Sequence, residues 1–162
     1  MPNTLELNRR HLMMGAGLAA TAFAAGATQA QAEASATVPD LTGKSILITG
    51  CSSGFGRLGA EHYARLGAKV FATMRNLPRP EADELTALAA SDNLDITVIE
   101  IDVTSDEQVA AGVAEALSAA GGAVDVLINN AGIAFAGPIE VQDMEATQHI
   151  FDTNVFGPQR MI

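Results

Sequence analysis

The segment "KSILITGCSSGFG", residues 44–56, constrains the fold more than any other: an apolar run ends in glycine, and two further glycines precede a stretch with helical spacing. A chain that must turn tightly out of a strand, approach a ligand and then seat a helix against a sheet needs positions without a side chain. Gly50, Gly54 and Gly56 stand where those three jobs fall. The helix beyond them offers unpaired N–H groups and about half a positive charge at its N-terminus, which suits a pyrophosphate. A glycine-rich turn taken alone is equally compatible with ordinary loop packing, so its surroundings decide.

Those surroundings alternate strand and helix. "KSILITG" is a short apolar run, "GRLGAEHYARLGA" has helical spacing, and "KVFATMR" is apolar and β-rich again. In the first helix Arg57, Glu61 and Arg65 recur every four residues and form one solvated face at ion-pair spacing, while Gly67 is placed to cap the end. His62 and Tyr63 read as surface and packing residues of that helix. A second helix enters at Pro80 with Glu81, Asp83 and Glu84 in its first turn, and "DITVIEIDV" is a third strand. Ser105 and Gln108 then have capping-box spacing, and Val109, Val113, Ala116 and Leu117 form an apolar stripe. "GGAVDVLINNAG" closes that helix and begins a fourth strand. Strands separated by helices predict a parallel sheet covered on both faces, because crossovers are right-handed.

Four motifs in this series resemble the short-chain dehydrogenase/reductase family: "TGCSSGFG" with its T-G-x-x-x-G-x-G spacing, Asp102-Val103 after the third strand, "NNAG" at the fourth, and Asn154 in "DTNVFG". The resemblance runs from about Leu41 to Ile162 and implies an α/β, Rossmann-type doubly wound parallel sheet over residues 40–162. It assigns cofactor contacts to Thr49, Gly50, Ser52, Ser53, Gly54, Phe55 and Gly56, to Asp102 and Val103 at the adenine, and to Asn129, Ala131 and Gly132. Phe55 stands where Ile or Leu is commoner, on a side chain that packs away from the phosphates. Read from the residues alone, Asp102 is also an ordinary strand-end turn residue, and Asn129 and Asn130 also suit backbone groups at a strand end. Cys51 reads as loop packing rather than as a reactive thiol.

The end of the second strand bears on the choice of nicotinamide cofactor. An acid there pairs with ribose hydroxyls and favours NAD, whereas NADP needs positive charge. Here Met74 takes the place of the acid and Arg75 follows, so a guanidinium is available for the 2′-phosphate and NADP(H) is expected over NAD. The other reading of Arg75 is a solvated strand-end charge.

In the family a Tyr acts as acid/base, a Lys lowers its pKa, a Ser orients the substrate and an Asn holds a relay water. Of these the resemblance carries over only the Asn, as Asn154. Tyr63, the sole tyrosine, has Gly67 four residues on and lies in the glycine-loop helix, so it does not match the Y-x-x-x-K pair. If residues 145–160 are helical, the N–H of residue 158 belongs on the Asn154 carbonyl, and Pro158 has none. That carbonyl is then free for a water; alternatively the helix ends at Gly157. The family strand order 3-2-1-4 leaves the apolar "VDVLI" strand at an open edge, so the sequence predicts the N-terminal part of a longer dehydrogenase, by truncation or an interrupted gene.

Three functions follow for this chain. The leading one is the cofactor half of an NADP(H)-dependent alcohol dehydrogenase or carbonyl reductase acting on a small molecule. The others are a non-catalytic dinucleotide-binding sensor and an inactive remnant. "TGCSSGFG" with "VFATMRNL" looks like the branch acting on steroids and retinoids, without fixing a substrate. The family's habit of pairing through the Asn154 helix implies a homo-oligomer for the full-length protein.

Composition excludes other classes. A formal net charge of -10 and no basic cluster beyond a pair argue against nucleic acid, and one cysteine rules out an intrachain disulfide and a thiol-rich metal cluster. Ahead of the domain, "NRRHLMMGAGLAATAFAAGATQAQA" sets Arg9 and Arg10 before an Ala/Gly-rich run that falls short of the roughly 20 apolar residues of a membrane span. Ala30-Gln31-Ala32 supplies a small-x-small cleavage pattern. The arginine pair resembles a bacterial twin-arginine signal, which implies an exported, periplasmic protein, although Asn8 stands where Ser or Thr is usual. The alternative is an Ala-rich tail on a cytoplasmic protein. Residues 1–32 are thus expected to be a signal peptide and 33–39 a linker. Mass spectrometry of the protein from its native host should find Glu33 as its first residue, and a retained residue 1–32 segment would overturn export.

Overall fold

The computed structural model describes residues 38–162, so the expected signal peptide and nearly all of the linker lie outside the described residues. The apolar runs become β1 (Ser45–Ile48), β2 (Lys69–Met74), β3 (Ile96–Glu100) and β4 (Val126–Ile128), all parallel, in the spatial order β3-β2-β1-β4. All of β1 is buried, as is β2 from Val70 onward. Burial on both faces is why these strands read as continuous apolar runs rather than alternating ones.

Between the strands lie α1 (Gly54–Arg65), α2 (Pro80–Asp92) and α3 (Asp106–Ala119). After β4 a short 3-10 turn (Ile139–Val141) leads to α4 (Met144–Phe151), which runs through a π turn (Asp152–Phe156) into α5 (Gly157–Arg160). Successive strand residues face opposite sides. Ile46, Ile48, Val70 and Ala72 meet Ala60 and Ala64 of α1 and Leu85 of α2. Leu47, Phe71 and Ile99 meet Val109 and Ala116 of α3 and Met161 beyond α5. Phe71 has no exposed surface; burying such a ring contributes about 1.5–3 kcal/mol. The sheet is therefore wound on both faces, as the alternation predicts.

The helix termini follow local chemistry. Pro80 occupies the first turn of α2 with Glu81 and Asp83 beside it. Gly67, at φ +94, turns the chain out of α1 and donates its N–H to the Ala64 carbonyl at 3.0 Å. At the start of the short edge strand β4, the Asp125 carboxylate accepts from the Ser45 N–H at 2.9 Å, the Ser45 hydroxyl at 3.0 Å and Lys44 Nζ at 3.0 Å. The Ser45 amide first, and the Lys44 ammonium next, hold that carboxyl at about 2, and together they tie the entrances of β1 and β4.

Two expectations are corrected. Arg57, Glu61 and Arg65 do not form one solvated face. Arg57 and Glu61 pair at 2.6 Å while half-buried, Arg57 Nη1 also donates to the Glu81 carbonyl at 3.2 Å, and Arg65 pairs with Asp92 at 2.6 Å. Because α2 packs beside α1 on the same face of the sheet, its two ends supply partners that the four-residue spacing along α1 alone does not reveal. The buried stripe of α3 is Val109, Gly112 and Ala116, with Val113 at its margin and Leu117 37% exposed. Gly112 lacks room for a side chain: a Cβ there would collide with Ile101 Cγ1 and lie 2.6 Å from its Cδ1 and 3.1 Å from the Glu100 carbonyl oxygen. A mid-helix glycine forgoes about 1 kcal/mol of helix propensity relative to alanine, and close approach to β3 is what offsets it. Gly112→Val should lower stability by about 1–3 kcal/mol through overpacking, measured by thermal or urea denaturation.

Candidate functional site

From β1 the chain winds outward through β2 to β3, then returns past β1 to form β4. The connections leaving β1 and β4 therefore diverge at the C-terminal edge of the sheet, where α/β proteins of this topology hold ligands. A cleft of about 290 Å³ lies there, and segments following all four strands line it.

The β1–α1 loop is shaped by what it touches. Gly50 and Gly54 have φ of +73 and +57, in the left-handed region that favours glycine. A Cβ on Gly50 would sit 2.8 Å from the Ala131 Cα, and one on Gly56 would meet the Gly50 carbonyl oxygen and lie 2.5 Å from Asn130 Nδ2. The loop is thus seated against the end of β4. Thr49, 1% exposed, accepts through its hydroxyl from the N–H groups of Asn130 and Ala131, both at 2.9 Å. Asn130 Nδ2 donates to the carbonyls of Thr49 at 2.8 Å and Gly50 at 3.1 Å.

The expected contacts sort unevenly around this seat. Gly50, Ser52, Ser53, Ala131 and Gly132 line the cleft. Thr49 lies beneath it, and Gly54 and Gly56 shape the turn rather than its wall. Phe55 is 88% exposed and stands outside the cleft. Asn129 is exposed and does not line the cleft, whereas Asn130 does; consecutive side chains at a strand end point opposite ways, so the inward position falls one residue later. Cys51 packs under the loop, donating to the Ile48 carbonyl at 3.2 Å, and burial pushes its thiol up to about 12.

Helix α1 differs from the other long helices at its N-terminus. Its first turn has no acid, whereas acids stand in the first turns of α2, α3 and α4; its N-cap Ser53 makes no side-chain cap, as Arg79 makes none for α2, while Ser105 caps α3 and Asp143 caps α4. The unpaired N–H groups of α1, from its N-cap Ser53 to Gly56, and its positive end therefore lie beside the cleft wall formed by Ser52 and Ser53, ready for an anion.

At the far end of the cleft are Met74, buried at the tip of β2, and Arg75, exposed just beyond. Arg79 joins them; its only signal in the sequence is a second arginine four residues on in "RNLPRP". Asp102 and Val103 line the same end. Asp102 Oδ1 accepts from the Thr104 N–H at 2.9 Å and its hydroxyl at 2.7 Å. Partial burial alone raises that carboxyl's pKa, but the two Thr104 bonds, joined by the charges of Arg75 and His149, outweigh it and hold the group below the usual carboxylate range. The Asp102 N–H goes to Gln108 Oε1 at 2.8 Å. The capping box is therefore half made: Ser105 Oγ accepts the Gln108 N–H at 3.3 Å, but the glutamine side chain steadies Asp102 instead of Ser105.

Asn154 sits where α4 widens. The Gly157 N–H reaches back five residues to the Asp152 carbonyl, and the helix continues to Arg160 rather than ending at Gly157. Pro158 cannot give the Asn154 carbonyl its α-helical donor, and the widened turn absorbs the defect without a break. The Asn154 side chain holds the backbone of Ile133 at two points: Oδ1 accepts its N–H at 2.9 Å and Nδ2 donates to its carbonyl at 2.8 Å. The preceding Thr153 lines the cleft floor, buried, with its hydroxyl unpartnered.

Residues 44–162 match the family model described as short chain dehydrogenase, and the chain belongs to that family. It is 42% identical over 122 residues to human retinol dehydrogenase 8, an alignment covering 74% of this chain and 38% of that protein. Among solved structures, a 3-ketoacyl-(acyl-carrier-protein) reductase from Brucella melitensis complexed with NADH superposes with a TM-score of 0.67 at 35% identity, over 75% of this chain and 48% of that one. An NADPH-bound carbonyl reductase from chicken fatty liver gives 0.68 at 30% identity, over 75% and 49%. The chain thus spans well under half the length of the curated relative and about half of each solved structure.

Asn130→Asp should place a carboxylate against the carbonyls of Thr49 and Gly50. A stability loss of about 1–3 kcal/mol is expected, together with weaker dinucleotide binding, read by denaturation and titration calorimetry.

Proposed function

We propose that this chain supplies the NADP(H)-binding half of an oxidoreductase that interconverts an alcohol and a carbonyl compound. The observation that carries the reading is the polarity of one cleft: an acid-free helix N-terminus stands at one side, and at the other Met74 stands in place of an acid at the tip of β2 with the exposed Arg75 guanidinium just beyond it. Four features of the site fit a dinucleotide. Left-handed glycines bring backbone close, Ser52 and Ser53 lie at the positive end of α1, Asp102 is held ionised by Thr104, and the Thr153 hydroxyl waits unpartnered in the floor.

In this reading the N–H groups around Ser52 and Ser53 bind the pyrophosphate, Asp102 and Val103 bind the adenine, and Arg75 binds the 2′-phosphate. When bound, the nicotinamide supplies or accepts the hydride. Asn154 keeps the β4 extension in place through Ile133, which orients the wall on which that half of the cofactor rests. Its own carbonyl, whose α-helical donor Pro158 removes, is the acceptor for a water that hands protons toward the reacting oxygen.

Similarity to a retinol dehydrogenase and a carbonyl reductase supports a small alcohol or carbonyl substrate. The arginine pair ahead of an Ala-rich run supports export to the periplasm, and the family's habit supports a homo-oligomer of the full-length protein. Among the described residues no helix is long and apolar enough to cross a membrane.

Dissociation constants for NADPH and NADH, measured by calorimetry, test the cofactor assignment. NADPH should bind tighter, and Arg75→Ala should weaken it about tenfold or more while leaving NADH unchanged, the loss of one charge-assisted contact. Equal binding of the two cofactors, or an unchanged ratio in the variant, would overturn the preference for NADP.

A further inference from the structure

The second arginine beside the cleft is built in unlike the first. Arg75 is exposed and makes no ion pair among the described residues. Arg79 is a half-buried, tethered plane. Its Nε donates to Glu81 Oε2 at 2.9 Å, Nη2 donates to Glu81 Oε1 at 3.1 Å, and Nη1 donates to the Arg75 carbonyl at 3.2 Å.

A guanidinium has five N–H groups. Three are used here, which leaves one on each terminal nitrogen for a ligand. Around this fork the β2–α2 segment is pinned further: the Leu77 N–H donates to Glu100 Oε1 at 3.0 Å, and Arg57 of α1 donates to the Glu81 carbonyl at 3.2 Å. A guanidinium already held in one orientation loses little freedom when it takes up a phosphate. Its charge, however, is offset by a carboxylate 2.9 Å away that the Arg79 fork itself keeps ionised, at about 2.

We propose that Arg79 is a second determinant of NADP preference, meeting the 2′-phosphate alongside Arg75, and that Glu81 sets how much of its charge the phosphate feels. This rests on the NADP reading above. Glu81 then has two opposed effects: it orients the fork and lowers its pull, so the cleft favours a 2′-phosphate without holding the released cofactor too firmly.

The test needs only the adenosine half of the cofactor: titration of the full chain with 2′,5′-ADP and with 5′-ADP, followed by calorimetry, with circular dichroism verifying that each variant is folded. Arg79→Ala should weaken 2′,5′-ADP about tenfold and leave 5′-ADP unchanged. Glu81→Gln keeps an acceptor for the fork but removes the charge, and should tighten 2′,5′-ADP about threefold relative to 5′-ADP. If Arg79→Ala weakens both nucleotides equally, or Glu81→Gln fails to raise the ratio, Arg79 only braces the loop and the proposal falls. If Arg75→Ala abolishes discrimination while Arg79→Ala spares it, the NADP reading stands and this inference alone fails. A wild-type chain that binds both nucleotides equally overturns the two together.

Discussion

The site depends on one junction, where Thr49 and Asn130 join the ends of β1 and β4. Two backbone N–H groups converge on the Thr49 hydroxyl, and one carboxamide bridges two carbonyls of the glycine loop. The connections leaving these two paired strands diverge, and the junction fixes the glycine loop against the end of β4 where they part. Each partner is polar and largely withdrawn from water, so each bond, once lost, leaves a desolvated group behind. Gly50 and Gly56 complete the seat by admitting Ala131 and Asn130 to distances that a side chain would forbid.

Onto that frame the chain distributes charge against its own average. A net charge of -10 belongs to the molecule as a whole, yet the cleft gathers Arg75, Arg79 and the positive end of α1, with Asp102 as its one lining carboxylate among the described residues. Acids accumulate in the first turns of α2, α3 and α4, where they complement the helix dipoles, and are withheld from α1. An anionic ligand therefore meets a local field of the opposite sign to the protein's overall charge.

The π turn shows a defect put to use. Pro158 removes a donor, the helix widens across Asp152–Phe156 instead of ending, and the result presents Asn154 toward Ile133 and sets Gly157 against Val103 on the wall of the cleft, where a Cβ on Gly157 would lie 2.8 Å from Val103 Cγ2. Widened helical turns recur at functional sites because they re-aim a side chain without dismantling the helix.

Much of this was legible beforehand. Continuous apolar runs separated by helical spacing specify a parallel sheet, positive-φ turns call for glycine, and Pro80, Ser105 and Gly67 mark helix ends, because each of these is a matter of backbone geometry within a few residues. The sequence by itself thus determined the β–α alternation, the glycine turn and the guanidinium after β2. Tertiary structure decided that Asn130 rather than Asn129 faces the cleft, that Gln108 serves Asp102 instead of Ser105, that Gly112 of α3 abuts Ile101 and the end of β3, and that Arg79 stands beside Arg75. Those outcomes depend on which side chain a neighbouring element reaches across tens of residues, and such distances arise only once the sheet has been wound.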